Sequence, residues 1–257
     1  MGVTESAFPN AAVSRLDNAT TLRVAISGGQ LASVTRAQLL AGANVATVQG
    51  QDGLWEVLQF ETATLLSEGS FELSGFLRGQ AGTETALGEA GTPIAAGAQF
   101  ILLDGAVARV DLGLDELRLP YQWRFGPANR DLSDTSYAQD EHAYAGIGLR
   151  PLSPVHLRAN RNGAGDIDFN WTRRTRIGGD SWDTLEVPLA EDFERYEIDV
   201  IADDESVVRT IPASTTMSDY AAADQIADFG ALRNPCRVRI HQLSALFGRG
   251  AAAMATL

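Results

Sequence analysis

The side chains of this 257-residue chain that could do chemistry are few and dispersed. The densest group is Arg173-Arg174-Thr175-Arg176, which follows Trp171-Thr172 and precedes a Gly178-Gly179-Asp180 turn. Planar guanidinium forks at that spacing could grip a carboxylate or a phosphate. The plainer reading pairs them with the nearby acids Asp180, Asp183 and Glu186. Asp166-x-Asp168-x-Asn170 begins like a calcium loop, with oxygen ligands at positions 1, 3 and 5. Trp171 stands where that loop needs glycine and Ile177 where it needs a bidentate glutamate, so the solvated face of a strand accounts for all three. Trp182, Tyr137 and Tyr144 are aromatics in polar stretches. Their flat faces and polar tips suit stacking on sugar rings, or they simply anchor loops.

Nucleophilic and acid–base chemistry finds little support. No G-x-S-x-G, G-x-G-x-x-G or H-E-x-x-H occurs. His142, His156 and His241 lie far apart, and a dispersed triad is recognised by geometry rather than spacing. His241 reads as the outward face of a strand and His142 as part of a polar loop. Acid pairs such as Glu186/Glu191 and Asp203/Asp204 read as solvated surface among 33 acidic residues. All 20 basic residues are arginine, so P-loop, Schiff-base and kinase-type lysines are excluded. A single cysteine, Cys236, excludes an internal disulfide and a multi-thiolate zinc site. The expectation is a protein without catalytic residues, metal or cofactor, and not an enzyme.

The net charge of −13 argues against nucleic acid, whose binding depends on basic residues displacing counterions, and against anionic membrane surfaces. No apolar, uncharged run reaches the eighteen residues of a transmembrane candidate. The start, MGVTESAFPN, has neither the basic nor the apolar region of a signal peptide. It matches M-G-x-x-x-S, a myristoylation pattern, and is read as an ordinary N-terminus.

The elements that must position these residues are strands. Hydrophobic content of 45% and charged content of 21% are those of a globular protein, and period-2 alternation recurs along the chain. Leu22, Val24 and Ile26 alternate with Arg23, Ala25 and Ser27. Leu54–Leu66 and Phe71–Leu77 flank a Ser67–Ser70 turn and predict a hairpin. Phe100–Leu103 is a short buried strand. Val110, Leu112 and Leu114 alternate in one parity and Leu117 to Phe125 in the other, which demands a bulge or turn near Asp115-Glu116. Thr35–Leu40 is the best helix candidate, too short to stand without tertiary support. Beyond the Pro151/Pro154 punctuation, Ile167, Phe169 and Trp171 point inward. So do Tyr196, Ile198 and Val200, with Glu197 and Asp199 outward, and then Cys236, Val238 and Ile240. Val207–Ile211 is a further strand. An early-strand Trp, a Tyr-x-Ile-x-Val strand and a late Val-x-Ile strand resemble a fibronectin type III module.

A wider resemblance rests on a series of short stretches in order. They are Leu40-x-Gly42-x-Asn44, Trp55-Glu56-Val57-Leu58-Gln59-Phe60, Leu77-Arg78-Gly79-Gln80-Ala81-Gly82-Thr83-Glu84 and Leu149-Arg150-Pro151-Leu152-Ser153-Pro154-Val155. They continue with residues 171–182, Val187-Pro188-Leu189, Tyr196-Glu197-Ile198, Asp228-Phe229-Gly230, Gln242-Leu243-Ser244 and Gly248-Arg249-Gly250. Over roughly residues 20–257 the chain resembles the C-terminal portion of the large tail-tip protein of gene transfer agents and related siphophages. That protein is called the megatron or host-specificity protein.

The resemblance implies a structural role at the distal end of a tail, in a baseplate-like tip, and a part in engaging the host surface. The implied partners are further copies in a homotrimer, the hub, distal-tail and other tail-tip proteins, and a host receptor or polysaccharide. The implied location is the virion or particle tail, assembled in the bacterial cytoplasm. The family's upstream glycosidase-like regions have no counterpart in this sequence, so hydrolase activity does not carry over. Trp182, Tyr137, Tyr144, Arg173, Arg174 and Arg176 are the candidate receptor or glycan contacts. A carbohydrate-binding module is the alternative reading. The expected architecture is all-β: an N-terminal extension (1–19), a β-barrel or sandwich-like domain (20–118), a strand-loop-strand connector (119–150) and a fibronectin type III-like sandwich (151–257).

Overall fold

A computed structural model describes residues 1–13, 15–67, 69–87, 93–179 and 186–257. Among these, strands dominate and helices are short, as the alternation requires. The first module is a closed antiparallel barrel of β1 (Gly2–Thr4), β2 (Leu16–Ile26), β3 (Val45–Gln49), β4 (Trp55–Ser67), β5 (Ser70–Gln80) and β6 (Gln99–Leu102). Their order around the wall is β1-β2-β5-β4-β3-β6. The expected hairpin is the β4–β5 pair. Inward residues fill the barrel: Phe8, Leu22, Val24, Val48, Leu58, Phe60, Leu73, Phe76 and Phe100 are buried in one cluster.

Residues 1–19 are therefore not an extension. β1 pairs with β2 on one side (Gly2 opposite Ile26) and with β6 on the other (Gly2 opposite Phe100), and Phe8 is fully buried. Without this stretch the sheet would keep two open edges. Closure brings the backbones so near that a Cβ on Gly2 would lie 2.1 Å from the Ala25 carbonyl oxygen. Only glycine fits there. α1 (Arg36–Leu40) matches the predicted helix; Thr35 and Gln38 form a capping box, and Leu39 is buried.

At the β4–β5 seam, Val57 faces Gln80 and Gln59 faces Leu77, so Arg78 and Gly79 together oppose Leu58. This is a bulge with glycine in the left-handed region (φ +59°). It sends Arg78 inward to Glu56, and both side chains are fully buried. Arg78 Nε and Nη2 donate to the two Glu56 oxygens at 2.6 and 2.8 Å, and Nη1 donates to the Pro9 carbonyl at 2.8 Å. The Gly79 N–H also donates to Glu56, and the guanidinium lies 3.6 Å from the centroid of the Phe8 ring. One polar cluster thus ties β4, β5 and the N-terminal segment.

The second module is a sandwich. One sheet has the order β13-β10-β9, from β9 (Val155–Arg161), β10 (Ile167–Thr172) and β13 (Met217–Tyr220). The other runs β12-β11-β14-β16, from β11 (Tyr196–Ile201), β12 (Val207–Ala213), β14 (Arg237–Ser244) and β16 (Ala253–Thr256). The short β15 (Gly248–Arg249) folds back on the end of β14. Three strands facing four in this order is the fibronectin type III arrangement. The inward residues named from the alternation form its core, with Trp171 edge-on to Tyr196 at 5.1 Å between centroids.

The sequence reading missed α2 (Ala222–Phe229). Its anchors are polar: buried Gln225 donates to the Gly165 and Tyr220 carbonyls, and Asp166 accepts from the Ala222 N–H. Asp228 accepts from both Arg209 and the Tyr220 hydroxyl. Its apolar row is short, Ala222, Ile226 and Phe229, and only Phe229 packs against the core.

Backbone contacts divide the chain into Met1–Asp104 with Gly148–Leu257, and Gly105–Ile147. The expected boundaries at 118/119 and 150/151 thus fall earlier. The second unit is a hairpin of β7 (Pro120–Phe125) and β8 (Ala138–Ala143) with a 3-10 turn at Leu114–Glu116, where the parity change required one. The strand expected through Val110 and Leu112 does not form, because no strand among the described residues pairs with it; Val110 is 58% exposed. The strand after it is shorter than its alternation because Arg118 takes a left-handed conformation (φ +64°).

Glu56→Ala leaves a buried guanidinium without its carboxylate and is expected to destabilise the barrel by about 3–5 kcal/mol. Urea unfolding followed by tryptophan fluorescence measures this, and replacing both partners by apolar residues is expected to cost less.

Candidate functional site

The arginine segment 173–176 leaves the end of β10, and its side chains fan apart. Arg173 donates to the Val187 and Pro188 carbonyls at 3.0 and 2.7 Å and lies 3.7 Å from Glu194. Arg176 donates to Glu191 at 3.0 Å and to the Ala190 carbonyl at 2.9 Å. Arg174 turns the other way. Its Nη2 donates to Glu84 at 2.8 Å, and its Nε donates to the Ser153 carbonyl at 2.6 Å. The three side chains are only 15%, 14% and 16% exposed. They do not converge on one point, so the segment is not arranged to grip a single anion. Among the described residues its carboxylate partners include Glu84, Glu191 and Glu194. Asp180 and Asp183 lie outside the described residues, as does Trp182.

Glu84 is the residue the sequence reading overlooked. The Gln80–Thr83 turn that precedes it is stitched to β4, since Thr83 Oγ1 donates to the Gln80 carbonyl and accepts from the Val57 N–H. Glu84 then opens a short 3-10 turn whose Ala86 and Leu87 are buried. Its Oε1 accepts from the Ser153 N–H at 2.8 Å. Beside it Arg150 donates to the Thr85 hydroxyl. Residues 77–84, 149–155 and 171–176, three of the stretches that carry the family resemblance, therefore meet at one polar cluster.

Tyr137 and Tyr144 lie in the Gly105–Ile147 unit and are half-buried. The Tyr137 ring sits against Gly126, where a Cβ would come within 2.7 Å of it, and its hydroxyl donates to the Pro127 carbonyl. The neighbouring strand aligns Tyr121, Trp123 and Phe125 on one face. Tyr121 donates to Glu116 at 2.9 Å and Trp123 Nε1 to the His142 carbonyl at 3.1 Å, while Phe125 is 58% exposed. Glu116 is held below the usual carboxylate range by the Gly113 N–H and the Tyr121 hydroxyl.

Two sequence expectations about charge are corrected. Asp199 does not point outward: it is buried on β11, where Thr210 Oγ1 donates to it at 2.6 Å and Arg249 supplies a fork at 2.6 and 3.0 Å. Burial alone would raise its pKa, but the Arg249 and Thr210 hydrogen bonds outweigh that and hold it below the usual range. His241 is likewise not a surface residue. It is 14% exposed, with Nδ1 3.0 Å from the Gly250 carbonyl and Nε2 3.9 Å from Asp199. Charge alternation cannot reveal this, because the partner arrives from β15, fifty residues on. In the calcium-like stretch, Asp166 caps α2 while Asp168 and Asn170 are exposed. Among the described residues no group of three His, Cys, Asp or Glu side chains could hold a metal ion. No helix among them is long and apolar enough to cross a membrane.

A family model described as Rcc01698-like, C-terminal, matches residues 1–101. No curated protein matches the chain. Among solved structures, domains d3-d4 of the rat CD45 extracellular region are 12% identical. They match over 60% of this chain and 70% of that one, with a TM-score of 0.30. The FN1-FN3 domains of chicken CNTN1 are 11% identical over 98% of this chain and 68% of that one, TM-score 0.29. Domains A168-A170 of titin are 11% identical over 100% and 99%, TM-score 0.29. Scores this low carry no argument, and the fibronectin-like assignment rests on strand order.

Asp199→Asn tests the buried carboxylate. A folded pKa below the unfolded value of about 3.9 stabilises above that pH, and the stabilisation disappears as pH falls through the folded value. The variant is expected to be less stable at pH 7, with a deficit that narrows below about pH 4, read by urea unfolding across pH.

Proposed function

We propose that the chain is a non-enzymatic structural component of the distal tip of a phage or gene transfer agent tail, contributing to tail assembly and host-surface attachment. The observation that carries this reading is the Rcc01698-like C-terminal match over residues 1–101, the stretch that folds as the closed barrel. The ordered motifs through the rest of the chain support it. A barrel and a sandwich joined through Glu84, Ser153 and Arg174 suit a building block that presents fixed surfaces. In this reading the partners are further copies of the chain, as a homotrimer, together with hub, distal-tail and other tail-tip proteins. The location is the particle tail, after assembly in the bacterial cytoplasm.

The alternative is a carbohydrate-binding module. It is favoured by the Gly105–Ile147 unit, where Phe125 is exposed and Tyr121, Trp123, Tyr137 and Tyr144 are half-buried. In a tail-tip protein such a surface would serve attachment to a host receptor or polysaccharide.

Deleting the gene and purifying particles tests the proposal. The expected result is a tail tip lacking density, or tails that fail to assemble, with adsorption to host cells lost and restored by the wild-type copy. Particles of unchanged composition and adsorption would overturn it. Turnover of host polysaccharide by the purified chain would overturn the non-enzymatic part.

A further inference from the structure

We infer that the joint between barrel and sandwich is a polar latch closed by Glu84, able to release the sandwich while both modules stay folded. The inference stands on the joint itself and does not depend on the tail-tip reading. The two apolar cores are separate. One is built from residues between Phe8 and Phe100, the other from residues between Ile167 and Ile240. Side chains that border each core come from the same module as the core they border. The contacts named at the joint are instead polar: Glu84 and Thr85 from the barrel, Arg150, Ser153 and Arg174 from the sandwich side.

Glu84 takes most of the donors. Its Oε1 accepts the Ser153 N–H at 2.8 Å, and its Oε2 accepts Arg174 Nη2 at 2.8 Å and the Ser153 hydroxyl at 3.4 Å. Arg174 also holds the Ser153 carbonyl at 2.6 Å, so carboxylate, guanidinium and one residue of backbone lock together. Glu84 is 7% exposed and Arg174 14% at their side chains, which strengthens each bond by excluding solvent.

Each half of the latch is fixed to its own module. Glu84 is held by the Gln80–Thr83 turn and the buried Ala86 and Leu87, and Arg174 lies two residues beyond the end of β10. Opening the joint releases hydrogen-bonding groups that water can satisfy, and neither core cluster spans it. Polar joints of this kind between modules permit relative motion, whereas a shared apolar core would not. Residues 105–147 keep the sandwich covalently tethered when the latch opens. Glu84 is thus a positioning residue: it sets where the sandwich sits on the barrel.

The test uses the full chain. Amide hydrogen exchange reads the Ser153 N–H directly, and solution scattering reads the spread between modules. In Glu84→Ala, Ser153 protection is expected to fall on the order of tenfold to a hundredfold, the loss of a charge-assisted hydrogen bond. The maximum dimension should grow, while amides of β4 and β10 keep their protection. Glu84→Gln retains an acceptor for Ser153 but loses the charge facing Arg174, and is expected to fall between. Arg174→Gln opens the latch from the other side and serves where the Glu84 variants express poorly. Unchanged Ser153 protection and scattering in Glu84→Ala would overturn the proposal. So would loss of β4 or β10 protection in both the Glu84 and Arg174 variants, because the joint would then be inseparable from the cores.

Discussion

The Glu56–Arg78 pair is the interaction on which the rest of the molecule depends. A guanidinium with no exposure must find an acceptor for every donor, and the carboxylate must find donors in turn. Here a two-pronged fork, the Pro9 carbonyl and the Gly79 N–H supply them. Only one register of β4 against β5 presents those groups together. The bulge that admits Arg78 also needs glycine next to it. A Cβ on Gly79 would come within 2.7 Å of Val13 and 2.9 Å of the Glu84 Cα. The same cluster therefore closes the barrel wall, pins the N-terminal segment and sets the turn from which Glu84 projects.

The two modules are built by apolar burial and connected by polar contacts, and within the second module arginine supplies many of the ties between segments. Arg173 and Arg176 bridge backbone carbonyls of residues 187–190 to acids, Arg249 forks onto Asp199, and Arg209 onto Asp228. A planar fork can meet two acceptors in fixed geometry, which a lysine ammonium does not do. The absence of lysine first excluded several mechanisms. In the folded chain the basic residues are largely structural ties, and the surplus acids remain at the surface, where they favour solubility and partner selection.

Strand content was legible because alternation is local. Ile167, Phe169 and Trp171 face the core since a pleated strand sends every second side chain one way. The capping box at Thr35 and the turn near Asp115 were legible for the same reason. What escaped was anything whose partner is distant. α2 has polar anchors supplied by residues 165, 166, 209 and 220. Asp199 sits at an outward parity, but Arg249 and Thr210 cover it. The segment 1–19 lacks a long periodic run, and β1 is a strand only because two neighbours pair with it. Val110 and Leu112 show the converse, with alternation and no pairing strand among the described residues.

From its sequence alone this protein was determined to be all-β and acidic, with lysine chemistry excluded and a late module of fibronectin type, because these follow from composition and from periodicity within single strands. Tertiary structure decided barrel closure by Gly2, the burial of Glu56 and Arg78, and the convergence of Glu84, Ser153 and Arg174. Each of these is a meeting of residues distant in sequence, 98 positions apart for Gly2 and Phe100 and 90 for Glu84 and Arg174. The energy of an ion or donor depends on what folding brings beside it, and that is not written in its immediate neighbours.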